Sequence, residues 1–150
     1  MKFVSYLNKK EERLGILFND KVYDLQKAAS SIKIKLPSTM KKFLEGENES
    51  MKLARKVLKK KKKDKMRSGI KLKGLTILSP IPHPTSLRDG YAFRQHVFTA
   101  RRNRGVEMIP EFDQFPIFYF GNHNAVFGPG SVKVEDDHLK GCDFELECAI

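Results

Sequence analysis

Three acidic residues near the end of the chain alternate with apolar residues. Asp143, Glu145 and Glu147 lie two residues apart from one another, and they are interleaved with Cys142, Phe144, Leu146 and Cys148. Because successive side chains of an extended strand point to opposite faces, the carboxylates share one face and the apolar groups share the other, which can be buried. Carboxylates spaced ~6–7 Å apart along a strand repel each other unless a cation lies between them. The pattern therefore fits either a site for a hard divalent cation or a solvent-exposed acidic edge.

A second pair of chemically active residues lies upstream. The pattern predicts a helix that begins after Ser86, runs from Leu87 to Ala100 and ends before Gly105. Asp89 and His96 are seven residues apart, so on such a helix they share one face, two turns from each other. A carboxylate that can ligate a metal, beside an imidazole that can take a proton from water, indicates a carboxylate metal site with one histidine base. The alternative is a histidine with a purely structural role on an amphipathic helix.

Other kinds of site leave no signature in the sequence. There is no glycine-rich phosphate loop and no Gly-x-Ser-x-Gly segment, and no pair of Cys and His residues has the spacing of a structural zinc site. Cys142 and Cys148 are too few for a disulfide scaffold and, six residues apart on one strand, too distant to form a disulfide bond. This cysteine usage fits a reducing cytoplasm.

The first half of the chain is expected to form a small α+β head, residues 1–74. The first 25 residues are rich in β-formers, and Asn19-Asp20 between two such runs predicts a hairpin. A short helix is predicted with Ser38 as its N-cap and Gly46 near its end. A second helix is predicted over residues 50–62, followed by a basic linker.

Residues 75–150 are expected to begin a second, largely β domain. Leu75–Leu78 reads as a short strand, and three prolines between residues 80 and 84 require an extended segment. The aromatic residues between Phe112 and Phe127 are expected to lie mostly in a core, and Ser131–Val134 alternates as a strand does. The predicted class for the whole chain is thus α+β and mostly β.

The net charge of +11 is unevenly distributed. Residues 1–75 hold 22 Lys and Arg against 8 Asp and Glu, whereas residues 76–150 hold 7 against 10. The block that includes Lys59–Lys63 could bind nucleic acid, but residues 52–75 contain no aromatic side chain to stack on a base. The sequence favours a solvated helix end and linker over nucleic acid. No apolar run approaches the ~20 residues of a membrane span, and no secretory signal is visible, so we expect a cytoplasmic protein without a membrane partner.

Three motifs together resemble the fumarylacetoacetate hydrolase family. They are Asp89-x-Tyr91-x-x-Arg94-Gln95-His96, Pro116-x-x-Tyr119 and Asp143-Phe144-Glu145-Leu146-Glu147. The resemblance is specific from Ser79 to Glu147 and looser in the head, where Leu14-Gly15-Ile16-Leu17 and Val22-Tyr23-Asp24-Leu25 also fit. It implies a catalytic β-roll behind a small β-rich N-terminal domain, a homodimer, and a bound Mg²⁺ or Ca²⁺ ion.

The same resemblance assigns roles to individual residues. It makes Asp89, Glu145 and Glu147 metal ligands and makes His96 the general base that activates water. It implies that three residues bind the substrate's carboxylate and oxo groups: Tyr91, Arg104 and Tyr119. Arg101 or Arg102 could replace Arg104, because the segment after His96 is one residue shorter than in the hydrolase. Asp143 shares the acidic face without being a ligand in the family pattern.

The implied activity is hydrolysis of a carbon–carbon bond in β-diketo or oxo acids such as fumarylacetoacetate or an acylpyruvate. An isomerase, hydratase or decarboxylase of oxo acids on the same fold is the close alternative, and a non-catalytic remnant with a basic nucleic-acid-binding segment is the distant one. In the family a further Asp downstream completes the metal site. We therefore expect a truncated family member, with the β-roll incomplete after Ile150 and little activity in the isolated chain.

Overall fold

The N-terminal head is built on a four-stranded antiparallel sheet. The computed structural model describes the backbone of residues 1–63 and 68–150 and the side chains of residues 1–60 and 68–150. The strands are β1 (Lys2–Asn8), β2 (Glu11–Phe18), β3 (Lys21–Asp24) and β4 (Ile70–Lys71), which lie in the order β1-β2-β3-β4. Leu14 and Ile16 of β2 are buried, as expected for the central strand of a sheet covered by helices.

The predicted hairpin at Asn19-Asp20 is confirmed. Phe18 pairs with Lys21, and the two residues between them have φ values of 46° and 56°. Two consecutive left-handed residues form the turn type whose twist matches that of the flanking strands, and Asn and Asp tolerate this conformation best among non-glycine residues. The local sequence thus decides this part of the register.

Three helices cover the sheet: α1 (Leu25–Ser30), α2 (Met40–Glu45) and α3 (Glu47–Lys63). Helix α1 was not predicted from the sequence; it begins where Asp24 accepts a hydrogen bond from the backbone N–H of Lys27. The N-cap of α2 is Thr39 rather than Ser38, and α3 begins three residues before the predicted start. Helix α3 is described as far as Lys63, which agrees with the predicted end near residue 62. The predicted basic linker includes residues 64–67, which lie outside the described residues.

The helices and the sheet enclose one apolar core, formed mainly by Leu14, Ile16, Leu25, Ala29, Leu36, Met40, Phe43, Ala54 and Val57. Phe3 of β1 packs its ring against that of Phe43, with 5.0 Å between the centroids. Burial of apolar area of this kind is the main driving force for folding. The head therefore has its own hydrophobic core, within residues 1–60.

Residues 76–80, which lead into the proline-rich segment, lie along the outer edge of β1. The backbone N–H of Leu7 donates to the carbonyl of Thr76, and that of Leu78 donates to the carbonyl of Ser5. The predicted strand Leu75–Leu78 is reduced to a single bridge between Ile77 and Tyr6. These contacts pair part of an edge strand that would otherwise present free backbone groups. The proposed boundary at residue 74 stays a prediction.

Residues 85–150 form a smaller and more open arrangement. Strands β5 (Leu87–Gly90) and β6 (Phe118–Gly121) pair antiparallel, and helix α4 (Arg94–Asn103) lies between them in sequence. The helix predicted from Leu87 to Ala100 is confirmed from Arg94 onward, where it is α4, but its predicted start at residue 87 was wrong. Residues 87–90 instead pair with β6. A glycine such as Gly90 costs about 1 kcal/mol more than alanine in the interior of a helix.

Two further predictions for this half were wrong. The aromatic segment is not core, because Phe115, Phe118, Phe120 and Phe127 are all exposed. No regular strand forms over residues 131–134 or over the acidic segment, and Phe144 and Leu146 are 86% and 96% exposed. Val132 is also 68% exposed, so apolar alternation alone does not bury these side chains.

The α+β class is confirmed, with antiparallel sheets throughout the described residues. Helices account for about one third of the chain and strands for about one fifth, so the expectation of a mostly β chain overestimated the strands. Among the residues described, none of the helices is both long enough and apolar enough to cross a membrane.

Candidate metal centre

The two-stranded sheet positions Asp89. In the β5–β6 ladder Asp89 lies directly opposite Tyr119, and residues directly opposite each other project from the same face of a sheet. On the other face the Arg88 guanidinium lies 5.2 Å and 5.5 Å from the ring centroids of Phe118 and Phe120. The sheet therefore separates an acidic and phenolic face from a cationic and aromatic face.

The carboxylates of Asp89, Glu145 and Glu147 come together. Each offers one oxygen, and these oxygens all lie within 4.8 Å of one another. Glu145 and Glu147 are two residues apart on a segment without regular secondary structure, and both side chains lie next to Asp89. Asp143 is outside the cluster, and its Oδ1 instead accepts a hydrogen bond of 2.8 Å from the backbone N–H of Phe144. The three residues assigned as metal ligands from the sequence are thus the three that meet.

Crowding of negative charge perturbs Glu147. The negative charge of Asp89 is the largest cause that raises the pKa of Glu147, followed by desolvation and by the charge and hydrogen bond of Glu145. The positive form of His96 acts in the opposite direction and lowers this pKa. A cation that enters the cluster would stabilise the ionised form of a carboxylate that lies beside two others.

His96 and Asp89 lie on different elements, whereas the sequence predicted both on one helix. Asp89 lies on β5 and His96 lies in the first turn of α4, so the two do not share a helical face. Residues 91–93 connect the two elements, and the charge of His96 acts on Glu147 across the space between them. The predicted shared helical face was therefore wrong, and the effect of the His96 charge on the pKa of Glu147 is what links this imidazole to the cluster.

Tyr91 and Arg104 meet at the other end of α4. Arg104 is the residue at the C-terminal cap of α4, and its Nη2 lies 3.5 Å from the hydroxyl oxygen of Tyr91, to which it donates. The backbone N–H of Tyr91 donates to the carbonyl of Ile117, which fixes this tyrosine next to β6. The structure therefore brings two of the three predicted substrate-binding residues together, and Tyr119 is 73% exposed beside Asp89.

The two other arginines considered for the role of Arg104 have different contacts. Arg101 donates from Nε to the backbone carbonyl of Glu107. Arg102 places its guanidinium 6.0 Å from the ring centroid of Phe98. Neither contact involves Tyr91, so Arg104 is the arginine that the fold pairs with this tyrosine.

One ion pair, between Arg94 of α4 and Asp113, was not predicted from the sequence. Nε and Nη2 of Arg94 donate to the two carboxylate oxygens of Asp113 at 3.1 Å and 3.2 Å. The pair raises the pKa of Arg94 and lowers that of Asp113 through the hydrogen bonds between them. Paired guanidinium–carboxylate contacts fix geometry in two directions. Nothing in the local sequence signals a pair nineteen residues apart.

The donor set suits a hard divalent cation. Within the described residues this is the only group of three potential ligands, and all three are carboxylates. Mg²⁺ and Ca²⁺ prefer oxygen ligands, whereas a structural zinc site uses Cys and His. Cys142 and Cys148 are free and exposed, outside this group. The side chains present thus fit the ion implied by the family resemblance.

Neither a protein-family model nor a curated protein matches this chain. Its function is therefore inferred from the residues and their geometry.

Proposed function

We propose that this chain belongs to a metal-dependent hydrolase that cleaves a carbon–carbon bond in β-diketo or oxo acids. The observation that carries the proposal is the meeting of Asp89 with Glu145 and Glu147, more than fifty residues later in sequence. The motif resemblance, which depends on the sequence alone, assigns the same three side chains as ligands. Under the proposal, residues 75–150 belong to a fumarylacetoacetase-type β-roll, and the working protein is a homodimer in the cytoplasm.

Asp89, Glu145 and Glu147 would hold Mg²⁺ or Ca²⁺, which when bound supplies Lewis acidity toward the oxygen atoms of an oxo acid. The substrate's carboxylate and oxo groups are held by the guanidinium of Arg104 with the hydroxyl of Tyr91, and by the hydroxyl of Tyr119. An arginine guanidinium suits this task because its N–H groups match the geometry of a carboxylate.

His96 acts as the general base. A ring nitrogen of the neutral imidazole accepts a proton from water, and the water oxygen bonds to a carbonyl carbon of the substrate. The adjacent carbon–carbon bond then breaks, and its electron pair leaves with the departing fragment as an enolate. The enolate takes up the proton from His96, so the two products are a carboxylic acid and a ketone, and His96 returns to its neutral form.

Metal binding provides a test that does not need turnover. Titration calorimetry with Mg²⁺ and with Ca²⁺ should show binding at one site, and Glu147→Gln should weaken it at least about tenfold by removing one of three charged ligands. Asp143→Asn is the matched control, because it removes a carboxylate of the same segment that lies outside the cluster. Equal weakening by both substitutions would contradict the assigned ligand set.

Product analysis tests the reaction. A panel of acylpyruvates and other oxo acids, incubated with the 150-residue chain and either ion, should give acyl cleavage at a low rate only, and that cleavage should be lost in His96→Gln. Release of carbon dioxide without acyl cleavage would instead establish a decarboxylase. Isomerised or hydrated products would identify the other reactions of this fold.

A further inference from the structure

A groove on the head lies between the start of β1 and one edge of α3. Its volume is about 540 Å³, and none of its lining residues belongs to the candidate metal centre. The lining consists of four apolar residues, Met1, Phe3, Met51 and Leu58, and two basic residues, Arg55 and Lys59. Small-molecule sites typically occupy roughly 300–1,000 Å³ and combine an apolar lining with a few charged groups.

The apolar lining rests on the core of the head. Phe3, Met51 and Leu58 are partly buried and pack against the core cluster, and Phe3 contacts the ring of Phe43. The fourth apolar lining residue, Met1, is 53% exposed. A lining that includes two methionines suits an alkyl chain, because methionine side chains adapt to apolar groups of varied shape.

The basic edge of the groove is formed by Arg55 and Lys59, one helical turn apart. Both are exposed, and within the described part of α3 the single ion pair joins Glu49 to Lys52. Two adjacent cations without an acidic partner among the described residues attract an anionic group. From Met51 to Lys59 the helix extends about 12 Å at about 1.5 Å per residue, which is comparable to the length of a medium-chain carboxylate.

We propose that this groove binds an anionic amphiphile, whose alkyl chain lies on the apolar lining and whose carboxylate is held by Arg55 and Lys59. Nucleic acid is the other anion that basic residues of α3 could attract. Stacking side chains favour nucleic acid binding, but the groove has a single aromatic ring, Phe3, which is partly buried against Phe43. A mixed apolar and cationic lining fits an amphiphile better.

The test uses the 150-residue protein with methyl-labelled methionines and decanoate as the probe. Decanoate should shift the methyl resonances of Met1 and Met51 in a saturable manner. Met40, which is buried in the core, and Met108, which lines a different and smaller cavity, should not shift. Decyltrimethylammonium has the same chain length with a cationic head group, and it should bind more weakly.

Substitutions separate the contribution of the two positive charges to decanoate binding from nonspecific hydrophobic binding. Arg55→Gln and Lys59→Gln should each weaken decanoate binding about two- to fivefold, the range expected for single exposed ion pairs. Lys56→Gln, on the same helix but outside the lining, should leave the affinity unchanged. Absence of saturable shifts, equal binding of the cationic probe, equal shifts at Met108, or unchanged affinity in both groove variants would each overturn the proposal.

Discussion

The carboxylate of Asp24, at the end of β3, accepts hydrogen bonds from β1, β2 and α1. Oδ2 accepts hydrogen bonds from the Tyr6 hydroxyl at 3.2 Å and from Arg13 Nε at 2.8 Å. Oδ1 accepts from Arg13 Nη2 at 3.0 Å and from the backbone N–H of Lys27 at 2.8 Å. Burial opposes ionisation of this carboxyl, but the hydrogen bonds from Arg13 and Lys27 outweigh it and lower the pKa of Asp24.

Replacement of Asp24 by Asn is expected to destabilise the head by about 2–3 kcal/mol at neutral pH, because it leaves Arg13 without a charged partner and weakens the cap of α1. Since the folded-state pKa of Asp24 is lowered, its contribution is present above the unfolded value of about 3.9 and is lost as the pH falls through the folded value. Denaturant unfolding at neutral and acidic pH should therefore show a gap between wild type and Asp24→Asn that closes on acidification. Asp20→Asn, at an exposed turn position, should show no such gap.

The buried phenol of Tyr6 gives a complementary prediction at alkaline pH. Burial, followed by the charge of Asp24, raises the pKa of Tyr6 to about 12. The neutral phenol therefore contributes stability that is fully present below the unfolded value of about 10 and is lost as the pH rises through about 12. Tyr6→Phe should cost about 1 kcal/mol at neutral pH and should remove the component that titrates near pH 12 from an absorbance titration. If the exposed Tyr119→Phe removes that component instead, the assignment is wrong.

At the scale of elements, predictions from the sequence succeed where the signal is local. The Asn19-Asp20 hairpin depends on two residues and their neighbours, so the sequence contained all the information. The start of the predicted helix at Leu87 is wrong because residues 87–90 form a strand by pairing with β6, about thirty residues later, whereas its second part is α4. The ligands of the candidate metal centre were named through motif resemblance, whereas their placement on a strand and an irregular segment could not be read from spacing.

Gly15 in β2 and Gly90 in β5 differ in the space that surrounds them. A Cβ at Gly15 in β2 would collide with the Val22 side chain of β3 and lie 3.1 Å from the Tyr6 ring, whereas a Cβ at Gly90 in β5 would meet nothing within 4 Å. Gly15→Ala should therefore destabilise the protein by about 1–3 kcal/mol through overpacking, and Gly90→Ala should change stability little. Thermal unfolding of both variants checks this expectation. Equal effects would contradict the close approach of β2 and β3.

At the scale of the whole molecule, burial is concentrated in the head. Within the described part of residues 75–150, Val97 is the only buried apolar side chain and Ser79 the only buried polar one. Local stability follows the density of buried apolar contacts, so segments with few of them open at small free-energy cost. The two halves of the chain are therefore expected to differ in backbone protection, even though residues 76–80 hydrogen-bond to β1.

Hydrogen exchange measured by mass spectrometry should reveal this difference. Amides of β1, β2 and β3 should exchange slowly and together, and those of β5, β6 and residues 142–150 should exchange within the shortest labelling times. Because a ligand that binds only the ordered arrangement stabilises it, Mg²⁺ or Ca²⁺ should raise protection in β5 and in residues 142–150. That increase should disappear in Glu147→Gln and persist in Asp143→Asn. Uniform protection of both halves without added metal would contradict the unequal burial, whereas an unchanged pattern on metal addition would argue against the acidic cluster as a cation site.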